Sequence, residues 1–71
     1  MSQYAVVIED AGPNFSAYVP DLPGCVSAGY TLEEVTANIR VAMTIHIAAL
    51  IEFGEEVPQP SSQVLLVDVA S

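Results

Sequence analysis

At 71 residues the chain can build one hydrophobic core and hence one domain, residues 1–71. Nine acidic residues stand against a single basic one, Arg40, for a formal net charge of −8. Affinity for nucleic acid comes largely from Lys and Arg neutralising phosphates, so this balance excludes direct DNA or RNA binding and an anionic membrane surface as working functions.

Hydrophobic residues make up 52% of the chain, more than a small solvated domain needs, so apolar surface should remain after folding for a second copy or a partner. A basic protein is the natural electrostatic complement of an acidic one. Cys25 is the sole cysteine, which rules out an internal disulfide and a thiolate metal cluster. The first residues lack the basic-then-apolar pattern of a secretory signal. The longest apolar stretch, Val41 to Ile51, is too short to span a bilayer. A cytoplasmic location is expected.

The first element is Gln3 to Glu9, β-branched and aromatic, and reads as a strand. Turn chemistry at Asp10-Ala11-Gly12-Pro13-Asn14 leads to a second strand, Phe15 to Val19, and the two should form an antiparallel hairpin. Pro20-Asp21-Leu22-Pro23-Gly24 then interrupts pairing, because neither proline can donate to a ladder. The segment can be a rigid recognition loop that offers Leu22 to a partner. It can equally be a tight structural connection in which Asp21 bonds its own backbone and Gly24 supplies a positive φ; the residues favour the second. Cys25 to Ala28 is a short third strand.

Thr31 followed by Glu34 is a capping box, with Tyr30 and Val35 placed for a hydrophobic staple. The helix that starts there should run to about Phe53, where Gly54 can adopt the left-handed cap conformation. Glu55 to Ser62 is a polar, proline-containing connector, and Gln63 to Val69 reads as a final strand. The order is βββαβ, an α+β fold in which a three-stranded antiparallel meander carries one long helix and receives a last strand.

At 100° per residue, Leu32, Val35, Ile39, Met43, His46, Ile47, Leu50 and Phe53 form one helical stripe, which should pack on the sheet. A second apolar stripe, Ala37, Val41, Thr44, Ile45, Ala48 and Ile51, lies roughly opposite. A helix of this length spans about 33 Å against the ~17–20 Å of ordinary strands, so its C-terminal half should overhang the sheet. Val41, Thr44, Ile45, Ala48 and Ile51 are therefore the expected oligomer interface, in a dimer or a tetramer.

Groups able to carry out catalysis are few. His46, the only histidine, falls on the core-facing stripe, where donation to a carbonyl is the expected role, and no second histidine supports a metal site. Cys25 has no cationic neighbour in sequence to lower its pKa and reads as a small buried apolar residue. Glu9, Asp10 and Asp21 could converge near the hairpin end of the sheet and hold Mg²⁺, although their spacing does not demand it. There is no glycine-rich phosphate loop and no Gly-x-Ser-x-Gly turn. No catalytic residue, cofactor or metal is assigned.

Tyr4-Ala5-Val6-Val7-Ile8-Glu9, then Phe15-Ser16-Ala17-Tyr18-Val19-Pro20-Asp21-Leu22-Pro23-Gly24-Cys25 and Gly29-Tyr30-Thr31-Leu32-Glu33-Glu34, resemble the HicB antitoxin family. So do the helical Ala37-Asn38-Ile39-Arg40 and the later Gly54 and Pro58. The resemblance implies a truncated ribonuclease-H-like fold without the nuclease carboxylates. It also implies a partner: in type II toxin–antitoxin pairs, HicB binds HicA, a small basic ribonuclease that cuts messenger RNA with a histidine, and covers its active site. Many HicB antitoxins carry a C-terminal DNA-binding domain for autorepression. This chain resembles the short form, and its one basic residue does not suit it to that task.

The sequence thus reads as an antitoxin that neutralises a HicA-type ribonuclease by direct protein contact. Two alternatives are an orphan homo-oligomeric binding module of the same fold without a cognate toxin, and a residual Mg²⁺-dependent nuclease using Glu9, Asp10 and Asp21.

Overall fold

A computed structural model describes residues 2–70. Three short strands, β1 (Val7–Asp10), β2 (Phe15–Tyr18) and β3 (Val26–Gly29), precede one long helix, α1 (Leu32–Glu52). The sheet is an antiparallel meander in the order β1-β2-β3, with Ile8 opposite Ala17 and Ala17 opposite Ser27. The expected α+β architecture is present in its first four elements.

Local chemistry accounts for each connection. At the β1–β2 turn, Ala11 N–H donates to Asn14 O (2.8 Å) and Gly12 N–H donates to Asp10 Oδ1 (2.9 Å). Gly12 takes φ 95°, a region that suits a residue without Cβ. Strand β2 gives way to a turn at Val19-Pro20, so Tyr4 to Val6 have no strand opposite them and β1 is shorter than its β-branched run. The helix ends in a Schellman motif: Gly54 N–H donates to Ile51 O (3.1 Å), Glu55 N–H donates to Leu50 O (2.8 Å), and Gly54 has φ 71°.

Alternation in the strands points Phe15, Ala17 and Val19 at the helix, which lies mainly over β3 and β2. The core is small: Ala17, Val19, Leu22, Cys25, Val35 and Ile39 are buried, and Tyr4, Val6, Phe15, Ala42, Met43 and Ile47 pack around them. Burying Val35 and Ile39 contributes roughly 1.5–3 kcal/mol each. Gly29 lets β3 approach the first helical turn; a Cβ there would lie 2.5 Å from the Val35 backbone nitrogen.

Three expectations are corrected. The core-facing stripe is shorter than its periodicity: Phe53, where the helix has outrun the sheet, is 75% exposed, and Leu32 at the first helical position is 55% exposed. Tyr30 is 79% exposed, so no staple closes over Val35. The final strand over Gln63 to Val69 does not form, and its apolar residues are 66–92% exposed. A strand needs a ladder partner, and the chain reaches Gln63 from a point, Ser61-Ser62, that is fixed beside the β2–β3 connection. The Cα radius of gyration is 13.8 Å, against about 11 Å for a compact domain of this length, and the longest dimension is 48 Å.

Candidate functional site

Val19 to Cys25 folds as two consecutive tight turns. Leu22 N–H donates to Val19 O (3.0 Å) and Cys25 N–H donates to Leu22 O (3.0 Å), with Pro20 and Pro23 each at the second position of its turn. Gly24 follows Pro23 with φ 84°. Val19 N–H closes the loop on Cys25 O at 3.2 Å. Leu22 is fully buried in the core and is not offered to a partner. Of the two readings of this loop, the structural one is correct, with one change.

That change concerns Asp21, which bonds the distant connector and not its own backbone. Its Oδ2 accepts from Ser61 N–H and Ser62 N–H, both at 2.9 Å, and its Oδ1 accepts from Ser61 Oγ (3.0 Å) and Ser62 Oγ (2.8 Å). The two backbone donors, Ser62 foremost, followed by the Ser62 and Ser61 hydroxyls, hold the Asp21 carboxyl at a pKa of about 2, with loss of hydration opposing them. A second anchor lies upstream, where Tyr4 Oη donates to Pro58 O at 2.6 Å. Neither anchor was legible in the sequence. The adjacent serines after Pro60 were the only local sign of hydrogen-bonding capacity there.

The carboxylates do not assemble. Glu9 and Asp10 sit at the hairpin end of β1, whereas Asp21 follows the opposite end of β2. Asp10 caps its own turn and Asp21 is occupied by serines. Among the described residues no three His, Cys, Asp or Glu side chains gather as metal ligands. The possible convergence of these carboxylates does not occur, because strand β2 intervenes between Asp10 and Asp21.

Cys25 is buried, and loss of hydration pushes its thiol pKa up, so it is a poor nucleophile. His46 is half-buried beside Cys25, Val26 and Ala42, and among the described residues it has no hydrogen-bond partner; the expected donation to a carbonyl is absent.

At the helix start, Thr31 Oγ1 accepts from Glu34 N–H (3.0 Å). The Glu34 carboxylate reaches one residue beyond the usual reciprocal partner, accepting from Tyr30 N–H (3.0 Å). Asn38 Nδ2 donates to Ala28 O (2.8 Å), tying the second helical turn to β3. Further along, Val41, Thr44, Ile45, Ala48 and Ile51 are all exposed on the outer helix face, as the periodicity predicts. As a continuous helix, Leu32–Glu52 is also long and apolar enough to cross a membrane by length and composition, a test that core helices of soluble proteins pass as well. The sequence count missed this because it stopped at the uninterrupted apolar run.

Beside the helix, a groove of about 650 Å³ runs between β1 with its lead-in and α1, lined by Tyr4, Val6, Ile8, Ile39, Arg40 and Met43 among others. It exists because α1 covers β2 and β3 and leaves β1 largely uncovered. Sequence reasoning did not anticipate it.

The chain as a whole is similar to known proteins. The family model described as HicB-like antitoxin of bacterial toxin–antitoxin system matches residues 4–69. A chain of a HicA3–HicB3 toxin–antitoxin complex superposes with a TM-score of 0.73 at 33% identity, over 84% of this chain and 70% of that one. A 14.9 kDa protein from the rep-hol intergenic region of Haemophilus phage HP1 is 41% identical over 56 residues, 79% of this chain. The chain spans only 42% of that phage protein's length. A UPF0150 protein of Thermoplasma acidophilum is 32% identical over 66 residues, covering 92% of this chain and 96% of the relative. With a family match over nearly every residue and a shared fold, the chain belongs to the HicB-like antitoxins of bacterial toxin–antitoxin systems.

Proposed function

We propose that this chain neutralises a HicA-type ribonuclease toxin by direct protein binding, acting in the cytoplasm and without catalysis of its own. The observation that carries the reading is the likeness, at 33% identity, to a chain of a HicA3–HicB3 complex. The charge supports it. A toxin built to hold RNA presents a basic surface, and a net charge of −8 with one arginine provides an electrostatic competitor for that surface. Glu9 and Asp10 at the hairpin and Glu33 at the helix start lie at the same end of the sheet, since Asp10, Phe15 and Gly29 are in register and Gly29 abuts the helix start. This end is suited to face a basic partner.

The antitoxin also self-associates through the outer helix face. Val41, Ile45 and Ile51 are each more than half exposed, with Thr44 and Ala48 between them as small residues that permit close approach of a second helix.

Co-expression with the product of the adjacent gene tests the toxin assignment. Rescue of growth together with co-purification of the two proteins is expected. Growth arrest that this chain does not relieve, with no complex recovered, would leave the orphan binding module as the better description.

A further inference from the structure

We propose that residues Gln63–Val69 form a β-strand on a second copy of the chain, laid along the outer edge of its β1 and over the groove between β1 and α1. This exchange does not depend on the identity of any toxin.

Three observations converge. The segment has the composition of a strand, QVLLVDV, yet it extends into solvent with its apolar residues 66–92% exposed. An apolar, β-branched segment of this kind has much to gain from a ladder and from burial on both of its faces. The acceptor is present as well. Among the described residues β1 has no neighbour on its outer side, and Tyr4, Val6 and Ile8 leave an open apolar groove there against Ile39 and Met43. The lengths are compatible, since β1 together with its lead-in from Tyr4 and the tail from Gln63 to Val69 are each seven residues, about 23 Å when extended. The other sheet edge is less available, because Ala28 O in β3 is already taken by Asn38.

The tail's own course decides between the chain's own groove and a second copy's: its apolar residues stay exposed although that groove is open in the same copy. The connector leaves the helix, passes Tyr4 at Pro58 and is then fixed to Asp21 in the β2–β3 connection by four hydrogen bonds. At Ser62 it lies beside the β2–β3 connection. A neighbouring molecule presents the same edge, and a reciprocal exchange closes as a symmetric dimer. The charges also match: Arg40, the only cation in the chain, lines the groove, and Asp68 is the only charged side chain in the tail segment.

An isotope-filtered NOE measurement on an equimolar mixture of ¹³C,¹⁵N-labelled and unlabelled full-length chain reads the exchange directly. Contacts between the methyls of Leu65, Leu66 or Val67 and those of Ile8 or Met43 are expected across the label boundary. Amides of Val64 to Val69 should gain hydrogen-exchange protection as concentration rises. Val67→Pro, placed in a segment that has no role in the monomer's core, should abolish both signals while leaving the far-ultraviolet spectrum of the domain intact. Contacts confined to a single label, or tail amides that exchange freely at every concentration, would overturn the proposal. So would a Val67→Pro chain that retains the intermolecular contacts.

Discussion

Asp21 and Ser62 are 41 positions apart in sequence, yet the Asp21 carboxylate accepts both the backbone N–H (2.9 Å) and the hydroxyl (2.8 Å) of Ser62. With the matching pair from Ser61, this contact determines where the connector ends and therefore from what point the apolar tail departs.

The contact titrates. The Asp21 pKa falls from 3.8 to about 2 in the folded chain, so the carboxylate is favoured by its partners. A depressed folded pKa means that the stabilisation is fully present above pH 3.8 and is lost as pH falls towards 2. Ser61 and Ser62 amide resonances should therefore move together with the Asp21 side-chain titration in this window. In Asp21→Asn the amides should be displaced already at neutral pH and show no such titration. A midpoint near 3.8 in the parent chain would show that the carboxylate gains nothing from the serines.

Gly29→Ala places a methyl against the backbone of Glu34 and Val35, with contacts of 2.5 and 2.9 Å that no side-chain rotation can relieve. The first helical turn must lift away from β3, at a cost of roughly 1–3 kcal/mol. Urea denaturation should show a lower midpoint with an unchanged slope. An unaltered midpoint would mean that the helix start has room to yield.

Thr31→Ala removes the acceptor of the Glu34 N–H bond while the Glu34–Tyr30 bond can persist. A loss of about 1 kcal/mol is expected, and Thr31→Ser should recover most of it. Equal loss in both variants, followed by thermal denaturation, would assign the effect to the threonine methyl and not to capping.

Ile45→Glu tests the outer helix face. Ile45 is 63% exposed, so the monomer should lose no more than about 0.5 kcal/mol, while a charge placed in an apolar interface opposes association. Light scattering should report a lower mass for the variant than for the parent at the same concentration. Identical masses would exclude this face as an oligomer contact.

The meander, the helix and both of its ends were legible from sequence because each depends on neighbours in the chain. Gly12, Gly24 and Gly54 mark turns that need positive φ, and Thr31 with Glu34 marks a helix start by hydrogen bonds spanning three or four residues. Periodicity likewise identified Val35 and Ile39 as core and Val41, Ile45 and Ile51 as outer-face residues. The burial of Leu22, the occupation of Asp21 by two serines and the open groove beside β1 were decided only by tertiary structure. Each depends on which surfaces meet across tens of residues. Gln63 to Val69 illustrates the division: its composition specifies a strand, but strand pairing is a property of two edges. Within one copy of this chain the tail pairs with no edge, and its apolar residues stay exposed.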